Sequence, residues 1–175
     1  MDKMVFEIFW KEIERQCQFA NFATTELRNG LSQKNQEMVW YALQNFLTAV
    51  SHLSKIFWPK IRYKKRGREL RRSLGVKHSS PLKPRKIRHL LQRFDEKMEK
   101  WASSPERSNF VDTHIGPSET VSGISPEDIF RNFDDTTWTL QMGSDKYEIR
   151  PMVEVVNELF RKVTVELRES GNNTP

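Results

Sequence analysis

Apolar residues return at three- and four-residue steps from residue 3 to about residue 29, through Phe6, Phe9, Trp10, Ile13, Cys17, Phe19, Ala20, Phe22, Ala23 and Leu27. That period predicts one long helix, with Gly30 as its C-cap. Ser32 is placed to cap a second helix running to Trp58, where Pro59 stops it. Its apolar face is Met38, Val39, Tyr41, Ala42, Phe46, Leu47, Val50, Leu53, Ile56 and Phe57. The short connection predicts an antiparallel hairpin of two helices, each roughly 40 Å long. Glu69 to Leu74 reads as a short helix ended by Gly75. A third long helix is predicted from Pro81 or Pro84 to Trp101, with Ile87, Leu90, Leu91, Phe94, Met98 and Trp101 as its stripe.

Ser125-Pro126-Glu127-Asp128 reads as the cap and acidic first turn of a short helix through about Phe133. Alternation in Trp138, Leu140 and Met142 around Gly143-Ser144-Asp145 predicts a β-hairpin of residues 137–141 and 146–149. Pro151 opens a last helix to Glu169, with Val153, Val156, Leu159, Phe160, Val163 and Leu167 on one face. Residues 102–124 read as loop and 170–175 as a frayed tail. The expected fold is all-α: one domain over residues 1–175, a four-helix bundle with a small β-hairpin inserted before the last helix, and 60–80 as a basic connecting segment.

Charge changes this picture. Of 29 basic residues, fourteen fall between Lys60 and Arg93, with only Glu69 as an acid among them. The window carries +13 and the rest of the chain −7, although the whole is only +6. Such a cluster repels itself on compaction unless an anion neutralises it, and phosphate is the usual anion; a solvated, partly disordered linker is the alternative. The length, 175 residues, fits one domain with a real core. Cys17, the single cysteine, can form no internal disulfide and points to a reducing compartment such as the cytosol. No apolar run approaches the ~18 residues of a membrane span, and the start Met1-Asp2-Lys3 lacks the marks of a signal peptide.

Candidate chemistry gathers in the third predicted helix. Arg85, His89 and Arg93 are spaced i, i+4 and i+8 and would line one face, with Arg88, Gln92 and Asp95 nearby. His52, His78 and His114 are scattered, and no pair has metal-ligand spacing, so no metal or cofactor is expected. Trp40, Trp58 and Trp101 sit on or beside apolar stripes and read as packing residues. Cys17 reads as core.

Several runs occur in order: Met38 to Ala49, Ser54-Lys55-Ile56-Phe57-Trp58-Pro59, Leu70-Arg71, Leu74-Gly75-Val76, Ser80-Pro81-Leu82, Arg85-Lys86-Ile87-Arg88-His89, Phe94-Asp95-Glu96, Trp101 and Phe130-Arg131-Asn132-Phe133-Asp134. Together, over roughly residues 5–168, they resemble uncharacterised bacterial proteins of the HEPN type (higher eukaryotes and prokaryotes nucleotide-binding). The resemblance implies a HEPN-like four-helix bundle that pairs as a homodimer. Many members of that superfamily are metal-independent ribonucleases with an Arg, four to six residues, then a His. Arg88 takes the motif's Arg position, but Arg93 stands where its His belongs. Arg93 stays protonated and cannot serve as the general base; His89, about 100° round the helix from Arg88, is the substitute candidate.

The resemblance therefore implies an RNA-directed module of a bacterial defence or toxin system. Arg88 and His89 are the catalytic candidates, and Lys64, Lys65, Arg66, Arg71, Arg72, Arg85, Lys86 and Arg93 the nucleic-acid-binding candidates. The altered motif leaves binding and cleavage both open. A non-catalytic adaptor docking a partner protein is one alternative, and sequence-independent DNA binding through the Lys60–Arg72 arm is another.

Overall fold

The computed structural model describes residues 2–105, 109–120 and 122–172. Helices α1 (Lys3–Ser32) and α2 (Gln36–Phe57) form the long hairpin. Asp2 caps α1, accepting from the Met4 amide at 2.9 Å. The turn between them is made by Lys34 in a left-handed conformation (φ 54°). Asn35, not Ser32, caps α2 by accepting from the Met38 amide at 3.1 Å. Gly30 is not a C-cap either. It lies buried inside α1, where a Cβ would come within 3.0 Å of Val39, so its role is close approach of the two helices.

The basic segment is ordered helix: α3 (Lys64–Ser73) starts well before the expected Glu69. The third long helix is two short ones, α4 (Lys86–Gln92) and α5 (Phe94–Ala102). They break at Arg93, whose backbone (φ −133°, ψ 31°) is not helical. The last helix, α6 (Ile149–Asn172), starts two residues before Pro151 and runs past Glu169. Ser170 to Asn172, expected frayed, belong to it, and residues 173–175 lie outside the described residues. Thr164 donates to Glu14 (2.9 Å) and Ser170 to Glu7, so α6 runs antiparallel to α1.

The four-helix bundle with a lone hairpin is therefore not the fold. Six helices stand beside a four-stranded mixed sheet among the described residues. Its order is β1 (His114–Ile115), β2 (Arg131–Asp134), β3 (Thr139–Met142) and β4 (Asp145–Glu148), with β1 and β2 parallel and the rest antiparallel. The expected hairpin is β3–β4, one half of this sheet. The helix expected through Phe133 is only a 3₁₀ turn (Pro126–Asp128) followed by β2. The 102–124 stretch, read as loop, contributes β1; within it residues 106–108 and 121 lie outside the described residues.

Hydrophobic burial holds the layers together. Ile13, Cys17 and Leu27 of α1, Phe46, Val50 and Phe57 of α2, Phe133 and Leu140 of the sheet, and Val156 and Val163 of α6 share one core. Polar links fix the sheet's position. Trp40 Nε1 donates to the Thr113 carbonyl (2.9 Å), Trp101 Nε1 to that of Glu127 (3.1 Å), and Lys97 pairs with Asp145.

Candidate functional site

Pro59 ends α2, and a helix end leaves its last carbonyls without intrahelical donors. Two arginines from other elements supply donors to two carbonyls at this end. Arg71 Nη1 of α3 donates to the Phe57 carbonyl. Arg88 Nη1 of α4 donates to the Trp58 carbonyl at 3.1 Å. Cations also suit the negative end of a helix dipole. The Arg71 guanidinium lies 5.4 Å from the Trp58 ring centroid, a cation–π distance. Gly67 lets α3 lie this close: a Cβ there would stand 2.5 Å from Pro59 Cδ and 2.6 Å from the Phe57 carbonyl oxygen.

Two open hollows meet at this helix end, sharing Trp58, Pro59, Arg85 and Arg88 as a common wall. The larger, about 610 Å³, adds Lys64, Arg71, His78 and Lys83. The smaller, about 420 Å³, adds Lys55, Lys60, Tyr63, His89 and Gln92. Seven lysines and arginines thus line the pair, and no acid does among the described residues.

Arg88 is the centre of the arrangement. Burial, and after it the charge of Arg85, pull its guanidinium below the ordinary arginine value. Arg71 is pulled down in the same sense by burial and then by Arg68. A guanidinium gives up its proton so reluctantly that both keep their charge. With Nη1 on Trp58, Arg88 Nε and Nη2 are buried and have no partner among the described residues. Trp58 Nε1 is in the same condition. An unmet buried donor costs about 1–3 kcal/mol, so this wall holds unused capacity for an acceptor.

Some of the sequence candidates converge here and others do not. Lys64, Arg71, Arg85 and Arg88 line the larger hollow, and His89 shares the smaller with Arg88. Lys86 is turned away to Asp145 (3.7 Å). Arg93 pairs with Glu96 (2.8 Å), because the break after α4 removes it from the Arg85–His89 row. Arg66 lies over Phe9 (4.5 Å) and Tyr63 (5.0 Å), facing α1. Lys65 and Arg72 are exposed on α3 and line neither hollow. Lys60 entered the sequence reading only as the start of the Lys60–Arg72 arm, and Lys55, Tyr63, His78, Lys83 and Trp58 were not named as site residues. The proline stop after Trp58 was the available signal: it marks a helix end with free carbonyls inside a cationic region.

The other tryptophans are packing residues. Trp101 is buried against Phe130 (centroids 5.1 Å apart), and Trp40 is half-buried beneath Arg131. Among the described residues no His, Cys, Asp and Glu side chains gather in threes as metal ligands would. No described helix is long and apolar enough to cross a membrane. Comparison with protein-family models, with curated proteins and with solved structures finds no match to this chain.

Proposed function

We propose that this chain is an RNA-binding module whose phosphate-binding face is the pair of hollows at the C-terminal end of α2. The observation that carries it is Arg88: a guanidinium with two unpaired nitrogens, set in a wall lined by six further cations and no described acid. Phosphate supplies the charge and the acceptor oxygens such a wall lacks. The HEPN-type likeness around Arg88 and His89 favours RNA over DNA, and with it a defence or toxin setting. Should the chain cleave RNA, Arg88 would hold the charge developing on phosphate. His89 would take the proton of the 2′-hydroxyl as that oxygen attacks phosphorus. The bond to the 5′-oxygen would break with that oxygen taking a proton from solvent water, leaving a cyclic phosphate and a 5′-hydroxyl.

The test is fluorescence anisotropy of a labelled RNA across a salt series, comparing wild type with Lys64→Ala/Arg85→Ala. Both side chains are exposed, so folding is kept. Each lost phosphate contact should flatten the salt slope by about 0.7, so the double variant by about 1.4. No binding at low salt, or an unchanged slope in the double variant, would overturn RNA binding at this face. Incubation with chelator, wild type against His89→Ala, separates cleavage from binding alone.

The expected homodimer or partner contact has a specific candidate as well. Phe19, Phe22 and Tyr41 are 49%, 67% and 68% exposed around a shallow hollow between α1 and α2. An aromatic patch of this kind suits protein docking. Sedimentation of wild type and Phe22→Glu tests it; identical masses equal to the monomer would exclude self-association there.

A further inference from the structure

We infer that the RNA enters this face single-stranded, with its chain crossing Arg88 and one nucleotide seated in each hollow. This inference rests on the RNA reading above and narrows it. The hollows, about 610 and 420 Å³, fall within the range of about 300–1,000 Å³ that holds small ligands. A paired A-form helix keeps its bases stacked inside and presents a convex backbone, so it would cover these hollows without filling them. An unpaired strand can splay its bases and fill both.

The lining supplies what a splayed base needs. Trp58 stands in the wall common to both hollows with Arg71 on its ring (5.4 Å). Tyr63, 46% exposed, lines the smaller one with Arg62 and Arg66 over its ring (5.5 and 5.0 Å), so a base stacks here by displacing a guanidinium that then meets phosphate. Aromatic faces take any base, which gives single-strand preference without a sequence code. Trp58 Nε1 and Arg88 Nε and Nη2 bring three unmet donors to one wall. They are buried in the free chain, and a rotamer change of the kind common on binding turns the guanidinium toward phosphate. One phosphate would lie over the shared wall with a base on either side, and lysines line both hollows: Lys64 and Lys83 the larger, Lys55 and Lys60 the smaller.

The experiment compares a labelled single-stranded RNA with the same strand annealed to its complement, in full-length wild type, Tyr63→Ala and Tyr63→Phe. Single strand should bind at least tenfold tighter than duplex. Tyr63→Ala should weaken the single strand on the order of tenfold while leaving duplex binding unchanged. Tyr63→Phe, which keeps the ring, should bind as wild type. Tyr63 is exposed, so the variants fold; matching circular dichroism confirms it. Equal affinity for both forms, or a single-strand affinity indifferent to Tyr63→Ala, overturns single-strand seating. In that case salt-dependent binding lost in Lys64→Ala/Arg85→Ala still upholds the broader RNA reading. If neither form binds at low salt, both fail together.

Discussion

Replacing Gly67 by alanine sets two physical effects against each other. Gly67 lies inside α3, where alanine is favoured over glycine by about 0.8–1.0 kcal/mol from helix propensity. Considered as an isolated helix, α3 is stabilised by the change. The fold reverses the sign. The new methyl would sit 2.5 Å from Pro59 Cδ, 2.6 Å from the Phe57 oxygen and 3.0 Å from Pro59 Cγ. Normal contact for such atoms starts near 3.5 Å, so α3 must withdraw by roughly 1 Å. None of the three atoms is the far end of a flexible chain, so the neighbours cannot simply swing aside. Overpacking of this kind costs about 1–3 kcal/mol, and the withdrawal also loosens Arg71 from the Phe57 carbonyl, a bond worth about 1.5–3 kcal/mol for a charged donor. The propensity gain is outweighed, leaving a net loss of about 1.5–5 kcal/mol, the upper end applying only if the Arg71 bond is lost outright. Urea unfolding followed by circular dichroism measures it, with Gly171→Ala as control because nothing lies within 4 Å of that position. RNA affinity should fall with Gly67→Ala as well, since Arg71 lines the larger hollow. A higher unfolding midpoint for Gly67→Ala than for wild type would refute the close approach of α3 to the end of α2.

Four other outcomes are expected. Asn35→Ala should cost about 1 kcal/mol and Ser32→Ala close to nothing, because Asn35 holds the Met38 amide; urea midpoints in the reverse order would return the cap to Ser32. The Cys17 thiol is pushed up to about 12 by burial, and then by Glu14. Iodoacetamide should therefore label it only as fast as the chain unfolds. Stability should also decline as pH rises above about 8.5, where the unfolded thiol ionises and the folded one does not; rapid native labelling at pH 8 would contradict this. The hydrogen bond from Lys97 holds the Asp145 carboxyl below the usual aspartate range. Its contribution is present above about pH 4 and lost as pH falls through the folded value, so the stability gap between wild type and Asp145→Asn should close in acid; a gap constant from pH 7 to pH 2 would count against it. Arg85→Ala should bind RNA less well yet leave the free protein as stable or more so, because Arg85 repels Arg88; a clear fall in urea midpoint would show that Arg85 is structural.

The long hairpin was legible because α1 and α2 carry their burial on stripes that local periodicity reveals. The break between α4 and α5 was masked by the same signal: Leu90, Leu91, Phe94, Met98 and Trp101 keep helical spacing across it. A clue lay in Asp95 and Glu96, which make an acidic first turn where a new helix starts. Phe94, counted as buried stripe, is 48% exposed beside the break. Strand β2 was read as helix because Ser125 to Asp128 resemble a helix start, whereas its conformation is set by pairing with β3 eight residues away. Two-residue β1 has no periodicity to read. At the site, charge was legible and direction was not. Arg88 and Arg93 are equally basic in sequence, but only the backbone at Arg93 sends one to Glu96 and leaves the other at the α2 end.

Whether the arginines serve only as helix caps is decided by counting charge and donors. The end of α2 presents about half a negative charge, while Arg71 and Arg88 bring two positive charges to it. Capping therefore neutralises roughly a quarter of what they carry, and Arg85 and four lysines around the hollows add more. For the exposed lysines water screens the excess at little cost. It does not reach Arg88 Nε and Nη2, which are buried and unpaired. A side chain selected only to cap Trp58 would need one N–H of its five, and a lysine or a shorter polar residue could supply it without leaving the others unmet. Keeping a fork there, beside a second cation that disfavours its charge, is a local cost that the cap does not explain and that an anion with several acceptor oxygens removes. Unmet donors of this sort favour an anion, which is why the proposed phosphate contact is assigned to the Arg88 wall rather than to the more heavily charged but solvated face of α3.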